Sequence, residues 1–145
     1  VLRGAGHMVY ATDLVDYGCK DSEAKVDFLM ERAPSFAIDA IVTNPPFKLA
    51  HEFVAHAIKL VPKTVMLLRL AFYESVRRSD ILDGGLLRRI YVFDKRLPMM
   101  HRDGWEGRKA NSGMAFAWFV WEWGPPTKTT IERISWDLPA APKSG

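Results

Sequence analysis

Two consecutive prolines, Pro45 and Pro46, follow directly on an apolar run containing Ile38, Ile41 and Val42. Neither can donate a backbone N–H to a ladder, so a strand over residues 37–43 must end there and the chain must turn at Asn44. The other apolar segments arrange themselves around that break. Residues 8–12 read as a short buried strand ending at Asp13, residues 64–70 as another apolar strand, and residues 89–93 and 114–122 as two more. Leu49, Phe53, Ala57 and Leu60 recur at helical spacing, with Ala50, Val54 and Ile58 widening the stripe, which predicts a helix over 49–60 that Pro62 ends. A second helix is expected over 73–82, before Gly84 and Gly85. Residues 1–3 read as the last turn of a helix closed by Gly4 and Gly6. Strands without clean polar alternation are buried on both faces, so the predicted class is α/β, a parallel sheet with helices on either side.

Composition narrows the function classes. At 145 residues, 48% hydrophobic and 26% charged, the chain has the make-up of one globular domain and not of a disordered or collagen-like one. Its longest unbroken apolar run, Met114 to Trp121, is far short of the roughly 20 residues that span a bilayer, so no membrane partner is expected. The one cysteine, Cys19, excludes an internal disulfide and a cysteine-only metal cage, and points to a reducing cytoplasm. Nine basic residues against five acidic ones lie between Arg77 and Lys109, while the rest of the chain is near neutral. A basic segment beside a neutral remainder suits a polyanion, although two solvated helix faces would look the same.

The segment with chemical content is Asp39-Ala-Ile-Val-Thr-Asn-Pro-Pro-Phe47. In open α/β sheets ligands sit beyond the carboxyl ends of the strands. A turn of this composition presents the Asn44 amide and backbone carbonyls there, with two donors removed by the prolines and a flat ring at Phe47. Acceptors beside a stacking ring suit a planar amino group such as the exocyclic amine of a base.

Asn44-Pro45-Pro46-Phe47 resembles the catalytic motif of the amino-directed, S-adenosylmethionine-dependent methyltransferases at all four positions, and looks most like the phage and prophage adenine-N6 DNA methyltransferases. The resemblance runs over roughly residues 1–123 and includes the stretch Arg96-Leu-Pro-Met-Met-His-Arg-Asp-Gly-Trp105. It implies a Rossmann-like class I methyltransferase sheet, mostly parallel with an antiparallel last strand. It also implies methyl transfer from S-adenosylmethionine to N6 of adenine in DNA, with Asn44, Pro45, Pro46 and Phe47 as the catalytic turn. The acidic residue after the second strand of that family, which binds the cofactor ribose, falls on Asp13; the Asp-Phe pair beside the cofactor adenine falls on Asp27-Phe28. The motif alone leaves open an RNA base amine or a protein glutamine as the acceptor, or a nucleic-acid-binding remnant without activity.

The family's Gly-rich cofactor loop opens a helix, whereas Gly4-Ala5-Gly6 leads straight into a strand. The first strand and that loop are therefore expected upstream of Val1. Residues 1–138 read as an N-terminally incomplete catalytic domain and 139–145 as a flexible tail, and these residues alone are expected to bind the cofactor weakly. The loop over 95–113 is expected to contact DNA through Arg96, Arg102, Arg108 and Lys109, with Trp105 stacking or wedging. Cys19 follows a glycine and not a proline, which excludes cytosine-C5 chemistry. His51 and His56 are five residues apart and diverge by about 140° around a helix, so they form no metal site and read as solvent-facing. Phe116, Trp118, Phe119, Trp121 and Trp123 read as core.

Overall fold

The computed structural model describes residues 1–32, 36–98 and 113–136. By its contacts the chain divides into two units, Val1–Ala37 and Ile38–Gly145. In the first, a 3-10 turn over Arg3–Ala5 stops at Gly6, whose φ of 90° is the left-handed cap conformation. The predicted end of an α-helix is thus a single tight turn, with Gly4 inside it. Strand β1 (Ala11–Thr12) pairs in parallel with β2 (Ser22–Glu23). The buried strand predicted over 8–12 is cut to two residues, and Met8 is fully exposed. A two-stranded pair has no second layer against which a strand could bury. Tyr10 is held at the surface, where its hydroxyl donates to the Glu23 carboxylate and its ring meets Phe36 edge-on at 5.6 Å. That hydrogen bond keeps the phenol above its ordinary pKa.

The second unit is an α/β layer on a five-stranded mixed sheet. Its strands are β3 (Ala40–Thr43), β4 (Lys63–Arg69), β5 (Leu87–Phe93), β6 (Phe116–Glu122) and β7 (Thr130–Ile134), in the order β3-β4-β6-β5-β7. Strand β3 is parallel to β4 and β5 to β7, while β6 runs antiparallel to both of its neighbours. The antiparallel strand was expected to be the last, but β7 follows it. The segment Thr-Ile-Glu-Arg-Ile is charged and almost wholly exposed, as an edge strand is, so it carries no burial signal. Strand β3 forms the other edge, and Val42 is 44% exposed there, contrary to burial on both faces.

Helix α1 (Ala50–Leu60) begins one residue later than its periodicity predicts. Its buried stripe is Ala50, Val54 and Ala57, continued by Val61, and Leu49 stays exposed. The helix predicted over 73–82 is broken. Two 3-10 turns, Leu70–Tyr73 and Val76–Arg78, lead into a one-turn helix α2 (Ser79–Leu82), with Ser75 extended between them. Phe72, in the first of these turns, is buried in the core, edge-on to Phe119 at 5.8 Å.

Indole N–H groups tie both helices to one face of the sheet. Trp121 donates to the Ile81 carbonyl at 2.8 Å and Trp123 to the Ile58 carbonyl at 2.6 Å. The expectation of helices on either side is therefore corrected: among the described residues both α-helices lie on the face of Met66, Leu68, Phe119 and Trp121. Of the predicted aromatic core, Phe119 and Trp121 are buried, Phe116 and Trp118 half-buried, and Trp123 is half exposed. At the far end of β4, Lys63 bonds Glu122 at 3.0 Å and holds that carboxyl below its ordinary pKa.

Two positions report on this packing. The Thr64 hydroxyl is buried with no partner among the described residues. Thr64→Val replaces an unsatisfied group by a methyl of similar size, and urea denaturation should show stabilisation by about 1–2 kcal/mol. Gly85 has φ +76°, and a Cβ there would lie 2.8 Å from the Pro126 Cα. Gly85→Ala should lower stability by at least ~2 kcal/mol in the same measurement.

Candidate active site

The prolines act locally as the sequence requires. Strand β3 ends at Thr43, Pro45 is buried, and Pro46 caps a 3-10 turn over Phe47–Leu49 that leads into α1. The turn closes through the Leu49 N–H, which donates to the Pro46 carbonyl at 3.0 Å. No turn bond uses the Pro45 carbonyl, and the exposed Asn44 amide has no hydrogen-bond partner among the described residues. The segment therefore keeps free acceptors at the end of a strand, held on a stiff backbone.

Phe47 is 46% exposed. Arg69, the last residue of β4, lays its guanidinium carbon 3.8 Å from the centroid of the Phe47 ring. Phe116 opens β6 as the cross-strand partner of Arg69, and its ring meets Phe47 at 5.9 Å and 42°. One face of the motif ring is thus covered by a cation, and Phe116 limits how the ring can swing. Nearly half of the residue still faces outward.

Sheet topology gathers these groups. Strands β3, β4 and β5 point the same way, so Asn44, Arg69 and, three residues beyond β5, Arg96 follow or form their carboxyl ends along one edge. Two adjoining cavities open there. One of about 180 Å³ is bounded by Phe47, Leu68, Arg69, Phe72 and Arg78 among others. The other, about 620 Å³, is bounded by Arg69, Tyr73, Glu74, Arg96 and Met114 among others. Arg78 is already engaged, donating to the Phe72 carbonyl at 3.0 Å with its guanidinium 4.4 Å above the Phe72 ring.

Within the first unit, Asp13 and Asp27 come together at the carboxyl ends of the parallel pair. The Asp13 N–H donates to the Glu23 carbonyl at 2.9 Å, and the Val26 N–H to the Asp13 carbonyl at 3.0 Å. Each carboxylate also closes an Asx turn, accepting from Val15 and Leu29 respectively at 2.9 and 3.1 Å. Asp27 thereby caps the 3-10 turn Phe28–Met30, and Phe28 is half-buried. One oxygen of each carboxylate serves the backbone; both side chains are exposed, and the second oxygens suit hydroxyl donors.

Of the residues expected to touch nucleic acid, Arg96 lies in the larger cavity, exposed. Arg102, Trp105, Arg108 and Lys109 lie outside the described residues, as does the tail 139–145. His51 is not simply solvent-facing, since its Nε2 sits 3.0 Å from both oxygens of Asp80 and joins α1 to α2. Among the described residues no cluster of three His, Cys, Asp or Glu side chains is placed to hold a metal ion, and no helix is long and apolar enough to cross a membrane. Arg69 is the site residue that sequence reasoning missed. Its signal was a cation directly after the apolar run Val65–Leu68, a position where burial of charge is costly.

No family model matches the sequence, and no curated protein matches it. Among solved structures, the chain is similar to the crystal structure of the M1.HpyAVI–SAM complex, at 18% identity and a TM-score of 0.37. The likeness covers 75% of this chain and 60% of that one.

The contact between Phe47 and Arg69 is open to direct measurement. A double-mutant cycle of Phe47→Leu and Arg69→Met, read by urea denaturation, should give a coupling energy of about 0.5–2 kcal/mol. A coupling of zero would mean that the ring and the guanidinium are merely neighbours.

Proposed function

We propose that this chain belongs to a methyltransferase that moves a methyl group from S-adenosylmethionine to the exocyclic N6 amine of adenine in DNA, on a Rossmann-like class I sheet. The observation that carries the reading is the Asn44–Phe47 turn. It stands at the carboxyl end of a strand with its Asn amide and Pro45 carbonyl free of turn bonds and its aromatic ring half exposed. Arg69 and Arg96 beside it, without ion-pair partners among the described residues, favour a nucleic acid over a protein glutamine as acceptor.

In this reading the target adenine leaves the stack, and Phe47 receives it on the ring face that Arg69 does not cover. The Asn44 side-chain oxygen and the Pro45 carbonyl accept the two N–H bonds of the amine. They draw the amine out of conjugation with the ring and stabilise positive charge as it grows on nitrogen. The proton becomes acidic only once nitrogen is cationic, so no strong base is needed and an amide suffices. S-adenosylmethionine, when bound, supplies the electrophilic methyl on its sulfonium. Asp13 would accept the ribose hydroxyls, and Asp27 with Phe28 would flank the adenine. The free second oxygens of the two carboxylates fit that role, which lends the assignment its support.

The test uses the intact protein with labelled S-adenosylmethionine and separate pools of DNA, RNA and protein. Label in DNA, recovered as N6-methyladenine, is the expected result. Label in RNA or protein would replace the substrate, and no transfer to any pool would leave a binding remnant. Asn44→Ala should slow single-turnover transfer by ~10²–10³ with cofactor affinity nearly unchanged, while Asn44→Asp, which keeps an acceptor oxygen, should retain far more. A full-speed Asn44→Ala protein would make the turn purely structural.

A further inference from the structure

We propose that Arg69 and Arg96 form a phosphate-binding cleft at the carboxyl edge of the sheet, which takes a backbone phosphate of the strand whose base rests on Phe47. The proposal rests on the reading of Phe47 as a base platform and adds to it a backbone clamp that the motif does not contain.

Arg69 is an unusual arginine. It ends a strand of the central sheet, half-buried, with Phe47 3.8 Å beneath its guanidinium. Its Nε is buried without a hydrogen-bond partner, and no carboxylate pairs with it among the described residues. Leaving a buried donor unpaired is costly, and an aromatic face offsets only part of the charge. Neighbouring Arg78 shows how a structural arginine is satisfied here, since it stacks on Phe72 and donates to the Phe72 carbonyl. Arg69 stacks in the same way but donates to no carbonyl among the described residues.

Arg69 lines the cavity of about 620 Å³ together with Arg96, which likewise has no ion-pair partner among the described residues. A planar guanidinium clamped on one face keeps its in-plane N–H fork, the geometry that binds phosphate oxygens in pairs. Among the described residues, the one carboxylate bordering the cavity is the exposed Glu74. It leaves a net positive lining and disfavours a doubly charged anion over the singly charged phosphodiester.

The experiment measures binding of a fluorescein-labelled, adenine-containing single-stranded oligodeoxynucleotide over a salt series. Wild-type protein is compared with Arg69→Met, Arg69→Lys and Arg96→Gln. Arg69→Met keeps the stem that packs on Phe47, and thermal melts identify any variant that fails to fold. Each neutral variant should bind roughly tenfold more weakly at low salt and flatten the slope of log K against log salt by about 0.7. Arg69→Lys keeps the charge, so it should retain the slope while losing a few-fold in affinity with the bidentate fork. If Arg69 only braces Phe47, both Arg69 variants disturb methyl transfer and leave the slope at the wild-type value, which would overturn the proposal. Displacement of the oligonucleotide by polyglutamate at equal charge concentration would overturn it in favour of a carboxylate site. Slopes that fall as expected without any methyl transfer would support the cleft and sink the reaction instead. Methyl transfer to DNA with unmoved slopes would do the reverse.

Discussion

Strand β6 is hydrogen-bonded along both edges, to β4 on one side and β5 on the other, and it runs against both. The larger unit depends on that double pairing. Phe119 and Trp121 project from β6 into the layer beneath the helices, and Trp121 also holds α2 through its indole N–H. Full burial of such side chains contributes on the order of 2–3 kcal/mol each. Because β6 is reversed, its amino end meets the carboxyl ends of β4 and β5. Phe116 therefore stands beside Arg69 at the edge where the Asn-Pro-Pro-Phe turn emerges.

That edge combines stiffness with unspent polarity. Prolines fix the backbone of the turn, a cation and a second ring limit the motion of Phe47, and the acceptors of Asn44 and Pro45 remain free of turn bonds. Preorganised acceptors act on developing charge without rearranging at the moment of reaction, which gives a neutral amide its value in such a place. The arrangement around Phe72 follows the same stacking logic, with its carbonyl satisfying Arg78. The contrast between the two arginines separates a structural stack from one with a free edge.

The smaller unit follows a different economy. Its two-residue strands bury little, and its order comes from short-range hydrogen bonds such as the Asx turns of Asp13 and Asp27 and the left-handed cap at Gly6. Asp13 and Asp27 there serve the backbone with one carboxylate oxygen and present the other.

Local chemistry made much of this legible in advance. The proline pair ended β3 where it had to, the four apolar strands of residues 37–122 lay within three residues of their patterns, and α1 followed its 3.6-residue stripe, because these depend on neighbours a few positions apart. Asn44 and Phe47 were visible as acceptor and ring for the same reason. What depended on distant partners was not legible. The strand β7 has no burial pattern, the segment 73–82 reads as one helix where the chain makes separate turns, and the strand over 8–12 looks buried although only two of its residues pair, in a two-stranded sheet. The sequence by itself determined where the chain turns and which groups it offers at that turn. Only the tertiary structure decided that Arg69 lies over Phe47 and shares a cavity with Arg96, because strand order and direction bring together residues whose separation along the chain encodes nothing about their contact.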